Sequence, residues 1–392
     1  MKILWLCSWY PNKIKPYDGD FIQRHAQAVS LLNQVQVFHL VKDNNNRFDK
    51  PVTTETTIKG NLTETIIYYR SRKTGIRIVD RVLSEIKFRS LYKVAIKKYI
   101  ESEPGMKLVH LHVALKAGVL ALWIKKKFGI PFIISEHWTG YLPEARAILG
   151  YKSKFVSILR KKIFSEAIFI TFVSQYLADA VKQNFQYPHH RIIHNVVNTQ
   201  IFYPQPKSGE GKAKFIHIST MTYQKNVEQI LLALSHLKKQ STDFIIDMFV
   251  PDGDLLHKLV LKHKLEGYVI IHPEVPQVIL AETMRQADAL ILYSHYETFG
   301  CVVIEANASG IPAIVSDLPV FREYSLEFKT ALFVPPNDPL VLADTLMDFI
   351  NNKDLFIAEE ISRTTADKFS FPIIGRQFDN LYHLVLNENS DN

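Results

Sequence analysis

The stretch DALILYSHYETFGCVVIEANASGIPAIVSD, residues 288–317, carries four signals in order. DALILY is a short apolar run, Thr298-Phe299-Gly300 is a turn, CVVIEANASG has a helical pattern, and IPAIVSD is a second apolar run. Strand, helix and strand in succession describe a crossover, and a crossover joins parallel strands. The rhythm continues in both directions. Downstream lie the strand TALFVP and the helical PLVLADTLMDFI, and upstream lie FIHIST, NVEQILLALSHLKK, FIIDMFV and YVIIHP. It breaks at FYPQPKSGEGKAK, residues 202–214, where Pro204, Pro206, Gly209 and Gly211 mark a linker. Before the break a second alternating series runs from KILWLC through QVQVFHLV, KLVHLHV, PFIISEH and AIFITFVS. The expected fold is α/β, with parallel sheets covered by helices on both faces. The expected units are residues 1–202 and 203–370, followed by a closing helix over 371–392. Two such units leave a cleft between them, with ligands at the carboxyl ends of the strands.

A chain of 392 residues with 47% apolar and 22% charged residues has the composition of a globular protein with two or three cores. Cys7 and Cys301 are far apart and suggest neither a disulfide framework nor a metal knuckle, which fits a reducing, cytoplasmic setting. The apolar run Ile3 to Cys7 is too short for a signal peptide and reads as a buried first strand. No run of about 18 apolar residues is present to span a membrane. Residues 1–200 hold 31 Lys and Arg against 14 Asp and Glu, whereas residues 201–392 hold 16 against 25. That asymmetry points to an anionic partner for the first unit. Nucleic acid is excluded as that partner, because no recognition module or interleaved aromatic pattern accompanies the charge.

Within 294–317, Gly300 precedes a helix start, where free backbone N–H groups and the helix dipole favour a phosphate. Phe299, Gly300, Cys301 and Val302 are the residues at that start. Glu305, about one turn into the helix, is placed to accept from a ribose hydroxyl pair. Glu297, before the turn, is placed to accept from sugar hydroxyls. No Ser/His/Asp or Cys/His set, zinc spacing or Walker loop appears.

Glu297, Gly300, Glu305-Ala306, Gly310 and Pro312 together resemble the donor-binding signature of the retaining family-4 glycosyltransferases. The resemblance covers nearly the whole chain. It implies the GT-B architecture, two Rossmann-like domains in which the N-terminal one takes the acceptor and the C-terminal one a UDP- or GDP-sugar. It assigns Glu297 to the transferred sugar and Glu305 to the ribose. HISTMTYQKNVEQIL, residues 217–231, stands where the family has G-R-x-x-x-x-K, so Lys225 matches the diphosphate lysine. Ser219 and Thr220 replace the glycine and arginine. The missing guanidinium implies weaker donor binding or a second cation from elsewhere. Gly19 in PYDGDF matches a glycine beneath the donor phosphates, and His137 in SEHWTGY the histidine that reaches the transferred sugar or the phosphate. Asn195 in RIIHNVVNTQIFYP is carried over as structural. FSFPIIGRQFDNLYHLVL looks like the family's final helix, which crosses back onto the first domain. The family implies metal-independent transfer with retention, by front-face displacement, to a saccharide or lipid-linked acceptor in cell-surface polysaccharide or glycoconjugate synthesis. The rivals are a GT-B sugar-nucleotide epimerase and a degenerate transferase that only binds.

Two further expectations concern the first unit. His110 and His112 alternate along HLHV and are read as facing opposite sides of their strand, one of them toward the cleft. SKFVSILRKKIFSEA is read as a membrane-docking helix on the inner face of the membrane. Phe155, Ile158, Leu159 and Ile163 form its apolar stripe, flanked by Lys152, Lys154, Arg160, Lys161 and Lys162 and supported by Lys97, Lys98 and Lys125 to Lys127.

Overall fold

A computed structural model describes residues 1–72, 74–103, 105–149, 154–207 and 211–388. The first unit is built on an eight-stranded sheet: β1 Lys2–Cys7, β2 Gln34–Lys42, β3 Val52–Lys59, β4 Leu62–Tyr69, β5 Leu108–His112, β6 Phe132–Glu136, β7 Phe169–Phe172 and β8 His190–Ile192. Its spatial order is β3-β4-β2-β1-β5-β6-β7-β8. Each neighbouring pair is parallel except β3 with β4. The second sheet holds β9 Ala213–Ile218, β10 Phe244–Phe249, β11 Val269–His272, β12 Ala289–Leu292, β13 Ala313–Ser316 and β14 Ala331–Val334. It is parallel throughout, in the order β11-β10-β9-β12-β13-β14. This is the GT-B arrangement of two parallel-sheet α/β units.

The central strands are apolar on both faces because helices cover both, and Ile3 to Leu6 of β1 are wholly buried. β3, VTTETTIK, is not anticipated by the sequence reading, since its outward residues are polar. It is an exposed antiparallel edge, where threonine suits the pleat and Glu55 and Lys59 discourage pairing with another chain.

Chain order reverses direction between β1 and β5 in the first sheet and between β9 and β12 in the second. Loops leaving the carboxyl ends at those points open into one crevice. The first reversal delivers the 8–19 loop and His112, and the second delivers Ser219 to Lys225 and the 293–300 loop.

The last helix, Phe371–Glu388, returns to the first unit. Ile374, Phe378, Leu381 and Tyr382 are fully buried in the cluster formed by Ile3, Trp5, Ile22 and Val29. Burying four side chains of that size stabilises the contact by roughly 1.5–3 kcal/mol each. Gly375 lets the helix lie close, since a Cβ there would sit 2.3 Å from the Ala28 carbonyl oxygen. Asn33 Nδ2 donates to Asp379 Oδ1 at 2.9 Å across the same junction. Among the described residues, no helix is long and apolar enough to cross a membrane.

Candidate active site

The first wall of the crevice is the loop after β1. Asn12 Oδ1 accepts from the backbone N–H groups of Ile14 and Lys15 at 3.0 Å each, which folds the loop back on itself. The loop ends at Gly19, with φ of 70°, directly before the helix Asp20–Ser30. A Cβ on Gly19 would lie 2.7 Å from the backbone carbon of Trp9, so both conformation and space require glycine. One turn into that helix stands Arg24, buried, with Nη2 3.2 Å from Asp20 Oδ2.

The opposite wall is the turn 297–300 and the helix Cys301–Ala308. Gly300 has φ of 84°, and a Cβ there would meet the Phe321 ring at 2.8 Å. The Phe299 side chain is buried and stacks on Tyr324, with centroids 4.7 Å apart. Its ring is therefore core. Tyr324 donates to the Phe299 carbonyl at 2.6 Å, and Ser174 of the first unit donates to that of Thr298 at 2.7 Å. Cys301 and Val302 are partly exposed at the helix start. Burial pushes the Cys301 thiol up to about 12, against the pull of the nearby Arg24 charge.

Glu305 and Arg24 meet across the crevice in a buried ion pair. Burial raises the Glu305 carboxyl, and the Arg24 charge opposes that rise. Burial also works against the guanidinium, yet Asp20 and Glu305 hold its pKa above the ordinary value. Glu297 pairs with Lys225, while Gln224 Nε2 donates to its Oε2 at 3.1 Å and Ser294 Oγ to its Oε1 at 3.0 Å. The structure thus gathers Gly19, Lys225, Glu297, Gly300, Cys301, Val302 and Glu305 around one crevice. Thr220 is exposed, with its hydroxyl 3.2 Å from that of Thr222.

His137 lies just beyond β6 and is buried beside His25 and His112, with centroids 5.5 and 6.0 Å away. Its backbone is held by Glu136, a buried carboxylate absent from the sequence reading. Glu136 accepts from the N–H groups of Ala114, His137 and Trp138 at 3.0, 2.9 and 3.0 Å. Burial raises its pKa, and these bonds oppose the rise. Asn195 is buried next to His137 and acts on its charge.

One expectation is corrected. His110 and His112 share a face, because residues two apart on a strand point the same way. Their ring centroids lie 4.1 Å apart, and both contact Trp5. His110 is engaged in the core by Tyr382 Oη at 2.8 Å and Ser135 Oγ at 2.7 Å. The described residues of the 154–166 helix divide between core and surface. Ile163 is fully buried against Gly118, whereas Ile158 points to solvent. Arg160 lies over the Trp138 ring at 4.3 Å, Lys125 pairs with Glu166 at 2.7 Å, and Lys97 with Glu101 at 3.6 Å. Lys98, Lys126, Lys161 and Lys162 remain exposed. Lys152 and the side chains of Lys154 and Phe155 lie outside the described residues.

Arg24 is the main residue the sequence reading missed. Its partner is 281 positions away, so the pairing has no local signature. The available hint was Asp20 and Arg24 at i,i+4 directly after Gly19.

A crevice between two parallel-sheet units, with a glycine-started helix, two acidic residues and two cations at its edge, defines a GT-B glycosyltransferase. The chain belongs to the group 1, family-4 glycosyltransferases: the family models described as "Glycosyl transferases group 1" and "Glycosyltransferase Family 4" match residues 199–366 and 61–201. A glycosyltransferase of Methanocaldococcus jannaschii is 28% identical over 289 residues, covering 71% of this chain and 76% of the relative. Sucrose-phosphate synthase from Thermosynechococcus elongatus superposes with a TM-score of 0.76 at 17% identity, over 99% of this chain and 100% of that one. Anabaena HepE in complex with UDP-glucose gives 0.71 at 15% identity, over 98% and 99%. At those identities the two structures establish the shared fold.

Proposed function

We propose that the crevice binds a nucleoside diphosphate sugar, of the UDP or GDP type, and transfers its sugar with retention to a saccharide or lipid-linked saccharide acceptor. The observation that carries this reading is the convergence of Arg24, Glu305 and the start of the 301–308 helix. Glu305 takes the ribose hydroxyls, which releases Arg24 from its unliganded partner toward the diphosphate. Arg24 then supplies the guanidinium missing at Thr220, and Lys225 the second positive charge. Two cations and a helix dipole stabilise charge on the departing diphosphate, so transfer is proposed to proceed without a metal. Glu297 and His137 contact the sugar. HepE, a neighbour of the same fold, is described with UDP-glucose, which agrees with this donor class.

Support for the acceptor side comes from a 640 Å³ cavity at the carboxyl ends of β1 and β2. Lys15, Lys42, Arg47 and Lys116 line it, and its Asp43 is occupied by the backbone N–H groups of Asn45, Arg47 and Phe48. Such a lining favours an acceptor carrying phosphate or carboxylate. The exposed Lys98, Lys126, Lys161 and Lys162 favour peripheral docking on an anionic inner leaflet, where lipid-linked acceptors reside. Calorimetric titration with UDP, GDP and their sugars tests the donor. Binding by one nucleotide series, followed by NMR assignment of a retained anomeric bond in the product, is the expected result. Failure of every nucleoside diphosphate to bind overturns it.

A further inference from the structure

Behind the first wall of the crevice, His25, His112 and His137 point ring nitrogens at one another. One nitrogen from each lies within 4.8 Å of the other two. They come from three elements: the 20–30 helix, the carboxyl end of β5 and the residue after β6. All three are buried, His25 and His112 completely and His137 to within 6%.

Their hydrogen bonding is incomplete in a way that has a direction. The Nε2 of His25 lies 3.1 Å from the His194 carbonyl oxygen, an acceptor, so that nitrogen carries the proton. The lone pair is then on Nδ1, which has no hydrogen-bond partner. Neither ring nitrogen of His112 has a hydrogen-bond partner, and those of His137 make no well-formed bond, with Asn195 as the polar group that approaches them. Buried polar atoms are rarely left so, and a cluster of them needs an explanation. The neighbouring His110 shows the contrast, with both ring nitrogens satisfied. Burial lowers the pKa of all three rings, which are therefore neutral and available as donors of electron pairs.

We propose that His25, His112 and His137 bind one divalent transition-metal ion of the zinc, cobalt or nickel type. Three neutral imidazoles are a nitrogen donor set that suits these ions and not magnesium or calcium. The His25 Nε2–H donated to a backbone carbonyl is the outer-shell bond that metal-bound histidines make. Metal–nitrogen bonds of about 2.0–2.1 Å in a tetrahedral site put ligand atoms about 3.4 Å apart, so the 4.8 Å spread closes by about 1.4 Å. Rotations about the histidine side-chain bonds supply a movement of that size. The fourth position falls to Asn195 Oδ1, a water or a bound anion. The site lies apart from the donor diphosphate but shares His137 with the proposed sugar contact: one ring nitrogen would bind the ion and the other would be left for the sugar.

The test uses the tag-free full-length protein, stripped with a chelator, dialysed and titrated with Co²⁺. One equivalent is expected, with the intense visible absorption of tetrahedral cobalt, displaced by Zn²⁺. X-ray absorption of the wild-type complex is expected to show at least three imidazole ligands. Affinity is expected to fall more than about 100-fold in His112→Asn and in His25→Gln, and to be unchanged in the exposed control His257→Gln. The absorption measurement needs no variant, so misfolding of a substituted protein leaves the proposal testable. Lack of stoichiometric binding, fewer than three imidazole ligands, or full affinity in a folded His112→Asn protein overturns it. A protein that binds nucleotide sugars yet takes up no cobalt sinks this site alone, and the converse result sinks only the donor assignment.

Discussion

Arg24 of the first unit and Glu305 of the second form a buried ion pair across the crevice, joined by Asp20. A charge buried with its partner is costly to strand, by about 3–5 kcal/mol when one member is removed. Arg24→Gln and Glu305→Gln are therefore each expected to lower stability in chemical denaturation. The double variant is expected to lose less than the sum, leaving a coupling of about 1–3 kcal/mol. Strict additivity would mean that the two residues do not interact in solution.

In the proposed donor site the same pair would separate the ribose from the diphosphate. Glu305→Ala is expected to weaken UDP or GDP binding by about 1.5–3 kcal/mol, as loss of a charged acceptor for buried hydroxyls does. Arg24→Gln is expected to weaken the nucleoside diphosphate while leaving the nucleoside nearly unchanged. Thr220→Arg should add little to the wild type and restore part of the loss in the Arg24→Gln background. A clear gain from Thr220→Arg alone would show that Arg24 does not serve the diphosphate.

Glu297 is held by Lys225, Gln224 and Ser294, so its carboxylate is positioned before a ligand arrives. Glu297→Gln keeps the shape and removes the charge. Turnover is expected to fall by about 10–150-fold, equivalent to a charged hydrogen bond of about 1.5–3 kcal/mol, with nucleoside diphosphate affinity preserved. An equal loss of affinity for the bare nucleotide would reassign Glu297 away from the sugar.

The sequence shows most of this frame but not its cross-connections. β1, β9 and β12 are visible because a strand buried on both faces must be apolar along its length. β3 is invisible for the converse reason, since an edge strand is polar outward. Glycines 19 and 300 are legible because a tight turn directly before a helix needs them. Arg24 is not, since its role depends on how two separately folded sheets face each other. Which basic side chains of the first unit are engaged is not legible either, because Arg160 and Lys125 have partners that only the fold supplies.

His39 and His217 are buried, and burial lowers each to about 4. A histidine depressed in the folded state binds its proton more readily unfolded. Stability is then level above about pH 7 and falls as pH drops from about 6.5 toward 4, by about 1.4 kcal/mol per pH unit for each ring. Urea midpoints measured across that window are expected to decline on the acid side. Gln at both positions should make the slope shallower, and an unchanged slope would mean that other groups govern it.

Peripheral docking has its own signature. Changing Lys98, Lys126, Lys161 and Lys162 to Gln is expected to reduce co-sedimentation with anionic vesicles, by on the order of 1 kcal/mol for each lysine at the surface. Added salt should reproduce the effect. Arg160→Gln should instead destabilise the fold, through loss of its contact with Trp138. Vesicle binding that ignores lipid charge would end this reading.

The helix 371–388 also sets an order of assembly. The residues it buries belong to the core of the first unit, whose own strands end at residue 192. During synthesis the leading half therefore leaves the ribosome with part of its apolar surface uncovered, and it stays so until the final turns emerge. The trailing unit has time to form its sheet first. A protein shortened by that one helix should accumulate as a chaperone-bound or insoluble species, although every strand of both sheets is present.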